Sequence, residues 1–141
     1  MSLNPYLSFN GQCEEAFEFY AKALCGKVLS AFKYEGSPMA GQLPSEWGGK
    51  IMHASLDLGN GMILMGSDPP PGRYEAPRGF SVSISVKDVA ESERIFGELE
   101  KGGTVHMPIQ QTFWSARFGM LVDRFGIPWM VNCDQAAAQT A

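Results

Sequence analysis

The sequence predicts an α+β fold assembled from two copies of one module, each a strand, a helix and three further strands. Residues 5–68 and 80–133 both read in that order. A constant offset lays Leu7 on Ile84, Phe9 on Val86, Phe19 on Phe96, Gly26 on Gly103 and Val28 on Val105, so apolar positions and punctuating glycines coincide. A second register places the turn Gly59-Asn60-Gly61 on Arg124-Phe125-Gly126 and residues 62–65 on 127–130. The expected organisation is a first module at 1–68, a proline-rich linker at 69–79 and a second module at 80–141. Junctions between duplicated half-sheets are places where ligands tend to bind.

Each element has a local reason. Residues 5–9 alternate as a short strand, and Asn10-Gly11-Gln12 breaks it before a helix over 14–24 with Glu14 and Glu15 in its first turn. Ala16, Phe17, Phe19, Tyr20, Ala23 and Leu24 give that helix a broad apolar stripe, which is core patterning. Residues 28–34 form the next strand. The Gly- and Pro-rich stretch 35–50 is long for a connection, a length typical of lids and excursions. Residues 51–58 and 62–67 pair as a hairpin across Gly59-Asn60-Gly61, which supplies positive φ at low cost. In the second copy Phe80, Val82, Ile84 and Val86 alternate with Ser81, Ser83 and Ser85, so one strand face packs while the other carries small hydroxyls. Asp88 is placed to cap a helix over 89–100, Gly102-Gly103 ends it, and strands follow at 104–110, 116–122 and 127–132. The tail 136–141 is small and featureless.

Composition narrows the function classes. A net charge of −4, without any basic run, argues against nucleic acid or an anionic membrane as partner and for a small-molecule ligand. No apolar stretch approaches the ~20 residues of a membrane span, and the N-terminus lacks the pattern of a signal peptide, so the expected address is cytoplasmic. Cys13, Cys25 and Cys133 are odd in number without CxxC spacing and read as reduced, mostly buried thiols. No glycine-rich fingerprint follows a strand and opens a helix, which excludes a dinucleotide fold.

The segment from Tyr6 to Tyr20, YLSFNGQCEEAFEFY, resembles the PhnB-like branch of the glyoxalase/bleomycin-resistance/dioxygenase group, the vicinal oxygen chelate superfamily. Ile51-Met52-His53-Ala54, Ser67-Asp68, Phe113-Trp114 and Asp123-Arg124-Phe125-Gly126-Ile127-Pro128-Trp129 extend the match over nearly the whole chain. The resemblance implies two βαβββ modules forming a cupped mixed sheet with helices on the outer face, in a homodimer. Superfamily enzymes hold a divalent metal by the first and last strands of each module, usually through His and Glu. Carried over, those positions fall near Asn4, Met65, Ser81 and Met130, none of them a ligand for hard or borderline cations. Neither a metal nor any other cofactor is therefore expected.

Two histidines remain. His53 shares the polar side of its strand with Ser55 and Asp57, but residues four apart on a strand lie about 13 Å from each other, so His53 and Asp57 cannot share one ion. One reading makes His53 an imidazole bonded to a neighbouring strand, the other a cavity-lining acid/base or ligand contact. His106 is expected at an exposed or edge position. Tyr6, Ser8, His53 and Met65 from the first module, with Ser81, Ser83 and Met130 from the second, are the candidate ligand-lining residues. Trp114 is placed near a pocket mouth, and Arg117 could clamp a carboxylate or phosphonate, although a single arginine beside a strand is usually a surface ion pair. The leading reading is a metal-independent small-molecule-binding protein, or an enzyme that has lost its metal, with His53 the candidate catalytic residue. The alternatives are a metal-dependent isomerase, lyase or dioxygenase of the glyoxalase type, and a purely structural module.

Overall fold

The computed structural model describes residues 1–134; the tail at 136–141 lies outside the described residues. The chain divides into two compact units, Met1–Ala76 and Pro77–Ala141.

The first unit runs β1 (Tyr6–Ser8), α1 (Cys13–Ala23), β2 (Lys27–Lys33), β3 (Ile51–Asp57) and β4 (Ile63–Ser67). Its sheet has the order β1-β4-β3-β2, with β1 parallel to β4 and the other pairs antiparallel. Helix α1 buries Cys13, Ala16, Phe17, Tyr20 and Ala23 at helical spacing. Phe17 meets Phe9 edge-on at 6.0 Å. It also lies over Gly66, where a Cβ would come within 2.9 Å of the Leu7 carbonyl oxygen and 3.0 Å of the Phe17 ring. Glycine at 66 is thus what lets the helix approach the sheet. The turn Gly59-Asn60-Gly61 has φ values of 88°, 53° and 79°, as its composition predicts.

The long connection after β2 contains two 3-10 turns, Ala40–Gln42 and Ser45–Trp47. Its base is closed by Tyr34 N–H to Lys50 O and Glu35 N–H to Gly48 O, and Lys50 Nζ donates to Gly11 O at 2.9 Å. Asp68, at the edge of the expected linker, is 1% exposed and is a core residue of the first unit. Its carboxylate accepts from Cys13 N–H and Ile51 N–H, each at 3.0 Å, and its carbonyl oxygen accepts from Tyr34 Oη at 2.6 Å. One side chain therefore ties the entry of α1 to the start of β3.

The second unit repeats the plan with β5 (Val82–Val86), α2 (Val89–Leu99), β6 (Thr104–Gln110), β7 (Ser115–Val122) and β8 (Pro128–Asp134), in the order β5-β8-β7-β6. Asp88 caps α2 by accepting from Glu91 N–H at 3.2 Å. The strand expected from residue 80 starts at Val82, because the ladder with β8 begins at Val82↔Trp129; Phe80 is left outside it, 48% exposed. Asp123 is the turn-fixing residue before β8. It accepts from Phe125 N–H, Ile127 N–H and the Trp129 indole N–H.

The two sequence registers reappear in the pairing. Tyr6↔Met65 in the first unit corresponds to Ser83↔Met130 in the second. In the helices the match slips by one residue: Ala16, Tyr20 and Ala23 are buried in α1 where Ser92, Phe96 and Leu99 are buried in α2. Phe96 is thus the counterpart of Tyr20, and Phe19 is only half-buried. The cause is the connection from strand to helix, Asn10-Gly11-Gln12 in one unit and only Lys87-Asp88 in the other.

Candidate functional site

In the first unit Gly66 faces α1, and its partners Leu7 and Ala54 are buried with Leu56 and Leu64 on the same side. Alternation sends Tyr6, Ser8, His53, Ser55 and Met65 to the opposite face, which α1 leaves open. Register then sets their neighbours. Met65 is flanked by Tyr6 on β1 and Ser55 on β3, and Ser55 pairs in turn with Ser30 on β2. The Ser30 and Ser55 hydroxyls are 2.8 Å apart. Tyr6 Oη reaches across β4 to His53 Nδ1 at 3.0 Å, with the ring centroids 5.6 Å apart.

Four of the candidate residues, Tyr6, Ser8, His53 and Met65, therefore share one face, and two of them are hydrogen-bonded. His53 is half-buried and Tyr6 is 48% exposed, so the pair borders solvent. Nothing else among the described residues hydrogen-bonds to either side chain. Chemically the face offers hydroxyls, a phenol and an imidazole over a thioether. It can donate, accept or relay a proton to a polar ligand.

The positions that the resemblance assigns to the superfamily's metal offer little. Asn4 is engaged at both amide atoms, donating from Nδ2 to Ile63 O at 3.1 Å and accepting at Oδ1 from Ser2 Oγ at 3.0 Å. Met65 offers only a thioether. In the second unit Ser81 lies just before β5, and Met130 presents another thioether beside Ser83. Among the described residues no group of three or more His, Cys, Asp or Glu side chains is gathered as a metal site. This donor set does not fit the divalent metal of the superfamily's enzymes.

The second unit's candidates separate. Ser83 and Met130 pair on the face away from α2, and Met120 on β7 adjoins Met130. Trp114, 50% exposed, sits in the β6–β7 turn with its ring edge-to-face against Phe113 at 4.8 Å and Phe118 at 5.7 Å. Arg117 turns toward the helix side, its Nε 4.0 Å from Glu93 of α2 and its Nη1 donating to Ala116 O. It thus makes the surface ion pair that a lone arginine beside a strand commonly makes. His106 is exposed on β6, and Cys25 is the one exposed cysteine, at φ 54° after α1.

Three features were not legible as partners. Ser30 meets Ser55, Ser115 donates to Asn132, and Asp68 binds two distant N–H groups. Each needs strand register, or a long-range closure, that residue spacing does not carry. Burial pushes the Asp68 carboxyl above its ordinary value, opposed by N–H groups of Ile51, Cys13 and Gly11 and by Lys50. The Cys13 thiol is pushed up by burial and by the carboxylates of Asp68 and Glu14, so it is a packing group and not a nucleophile.

Residues 2–131 match the Glyoxalase/Bleomycin resistance protein/Dioxygenase superfamily. Protein YjdN of Escherichia coli K12 is 33% identical over 143 residues, covering 94% of this chain and 95% of that protein. The crystal structure of protein PA1353 from Pseudomonas aeruginosa is 46% identical with a TM-score of 0.87, covering 96% of this chain and 99% of that one. A PhnB protein from Bacillus cereus shares the fold, at 24% identity and a TM-score of 0.78 over 94% of this chain and 99% of that one.

Proposed function

Because the chain belongs to the glyoxalase/bleomycin resistance/dioxygenase superfamily, we propose that it is a small-molecule-binding protein that works without the superfamily's metal. The ligand is held on the open face of the first unit, against the Tyr6–His53 pair. The observation that supports this reading is a contrast. The positions that the resemblance assigns to metal ligands fall near Asn4, Met65, Ser81 and Met130, whereas a hydrogen-bonded phenol–imidazole pair borders solvent on the face of the first sheet opposite its helix-packed core. A pair of that kind can bind a polar group or move a proton without help from a cation. Further parts of the proposal are a homodimeric assembly, as the resemblance implies, and work in the cytoplasm. Among the described residues no helix is long and apolar enough to cross a membrane.

The test starts with a thermal-shift screen of small carboxylates, phosphonates and aromatic diols, followed by titration of a hit into wild type and His53→Ala. The expected loss of affinity is at least tenfold, about 1.4 kcal/mol, with the fold retained. A variant that melts earlier but binds the hit as tightly as wild type would show that His53 is only a structural imidazole. Sedimentation at micromolar concentration checks the dimer, and a monomer there would remove that part.

A further inference from the structure

The second unit builds the same sheet without a phenol–imidazole pair. Met65 pairs with Tyr6 and Ser55 where Met130 pairs with Ser83 and Met120. Two residues before Ser55 and Met120 lie His53 and Phe118. Where the first unit has Tyr6 and His53, the second has Ser83 and Phe118, so the fold does not require the pair.

We propose that Tyr6 is a positioning residue that holds His53 in the Nε2–H tautomer, so that the site offers its ligand one N–H donor and selects an acceptor oxygen. The carbonyl, carboxylate and phosphonyl groups share that chemistry. The inference rests on the reading of this face as a ligand site, and the reasoning is proton bookkeeping. Across the 3.0 Å contact between Tyr6 Oη and His53 Nδ1, one atom donates and the other accepts. A phenol is the better donor of the two, and an unprotonated imidazole nitrogen the better acceptor. A neutral imidazole has one N–H, so a proton donated to Nδ1 from Tyr6 leaves the ring's own hydrogen on Nε2. Free imidazole side chains lean to the same tautomer, so the two preferences add. Neither side chain has a second hydrogen-bonding partner among the described residues, which leaves Tyr6 alone to set the ring. Their centroids, 5.6 Å apart at 31°, keep the rings packed as well as bonded.

The chain has two histidines, and exposed His106 on β6 is a built-in reference. Long-range 1H–15N spectra across a pH series identify each neutral imidazole from its own titration. Neutral His53 should carry its proton on Nε2, with an acceptor-type Nδ1, while His106 shows averaged, solvent-like nitrogen shifts. In Tyr6→Phe, which keeps the ring, and in Tyr6→Ser, which copies the second unit, the His53 shifts should move toward those of His106. A protonated Nδ1 in neutral wild-type His53 would overturn the inference, as would His53 shifts unchanged in both variants. No ligand is needed, so the result is separate from the screen. An Nε2–H His53 in a protein whose His53→Ala form binds normally would uphold the tautomer and sink the ligand site.

Discussion

Replacing Asp68 with alanine tests the residue that holds the site's strands in place. The carboxylate accepts from Cys13 N–H and Ile51 N–H at 3.0 Å each, and the side chain is 1% exposed. Truncation strands these two buried donors at about 1–3 kcal/mol apiece, roughly 2–6 kcal/mol in all, and also takes the acceptor from the half-buried Gly11 N–H. Against that stands the burial that raises the carboxyl's pKa, a cost the alanine variant no longer carries, and a water could take up part of the vacated space. The expected net loss is about 3 kcal/mol, a large fraction of the ~5–15 kcal/mol that holds an ordinary domain together. The main-chain bonds of residue 68, from its own N–H to Ile51 O and from Tyr34 Oη to its carbonyl, survive the substitution, so the loss reports the carboxylate. Urea unfolding at neutral pH, followed by tryptophan fluorescence, measures it. A loss below about 0.5 kcal/mol, the range of an ordinary surface substitution, would refute the assigned role.

Three further outcomes follow from the same structure. Gly66→Ala should destabilise by about 1–3 kcal/mol through overpacking, reduced by at most about 1 kcal/mol of unfolded-state entropy, because its Cβ would meet a backbone oxygen at 2.9 Å and the Phe17 ring at 3.0 Å; a neutral or stabilising result would contradict the helix approach described. Burial raises the Asp68 carboxyl above 3.8, so the folded chain binds that proton more tightly than the unfolded one, and the contribution is full below that value and fades as pH rises through the folded pKa. The unfolding free energy of wild type relative to Asp68→Asn should accordingly fall with rising pH above about pH 4, and a flat difference would contradict the sign. Arg117→Ala should change stability by no more than about 0.5 kcal/mol and leave affinity for any screen hit unchanged, since the side chain lies toward Glu93 of α2; a tenfold affinity loss would restore the anion-clamp reading.

The order of elements along the chain, helix placement and turn chemistry were legible because each rests on local period and punctuation. The alternation in residues 82–86, the Asp88 cap and the Gly59-Asn60-Gly61 turn all appear where the sequence puts them. Helix register was less legible. The offset that matches the strands carries Phe19 onto Phe96, and one extra residue between strand and helix makes Tyr20 the true counterpart. Phe80 continues the alternation of its strand yet lies outside it, because β8 provides no partner beyond Trp129. In the candidate site, sequence alternation grouped Tyr6, Ser8, His53 and Met65 on one face, but could not show that Tyr6 would reach His53 across β4, or that Ser30 would meet Ser55. Such contacts depend on the register of three strands at once. Arg117 shows another limit: its charge left both a ligand clamp and a surface ion pair open, and its neighbour Glu93 shows which face of the strand it lies on.

The central claim, ligand binding without the superfamily's metal, is tested most directly by elemental analysis of protein purified without chelator and shown to bind a screen hit. The account predicts no stoichiometric divalent metal in that preparation, and affinity for the hit unaltered by later dialysis against a chelator. One tightly held zinc, nickel, manganese or iron per chain, with binding lost when it is stripped, would contradict it and put the alternative, a metal-dependent isomerase, lyase or dioxygenase, in its place.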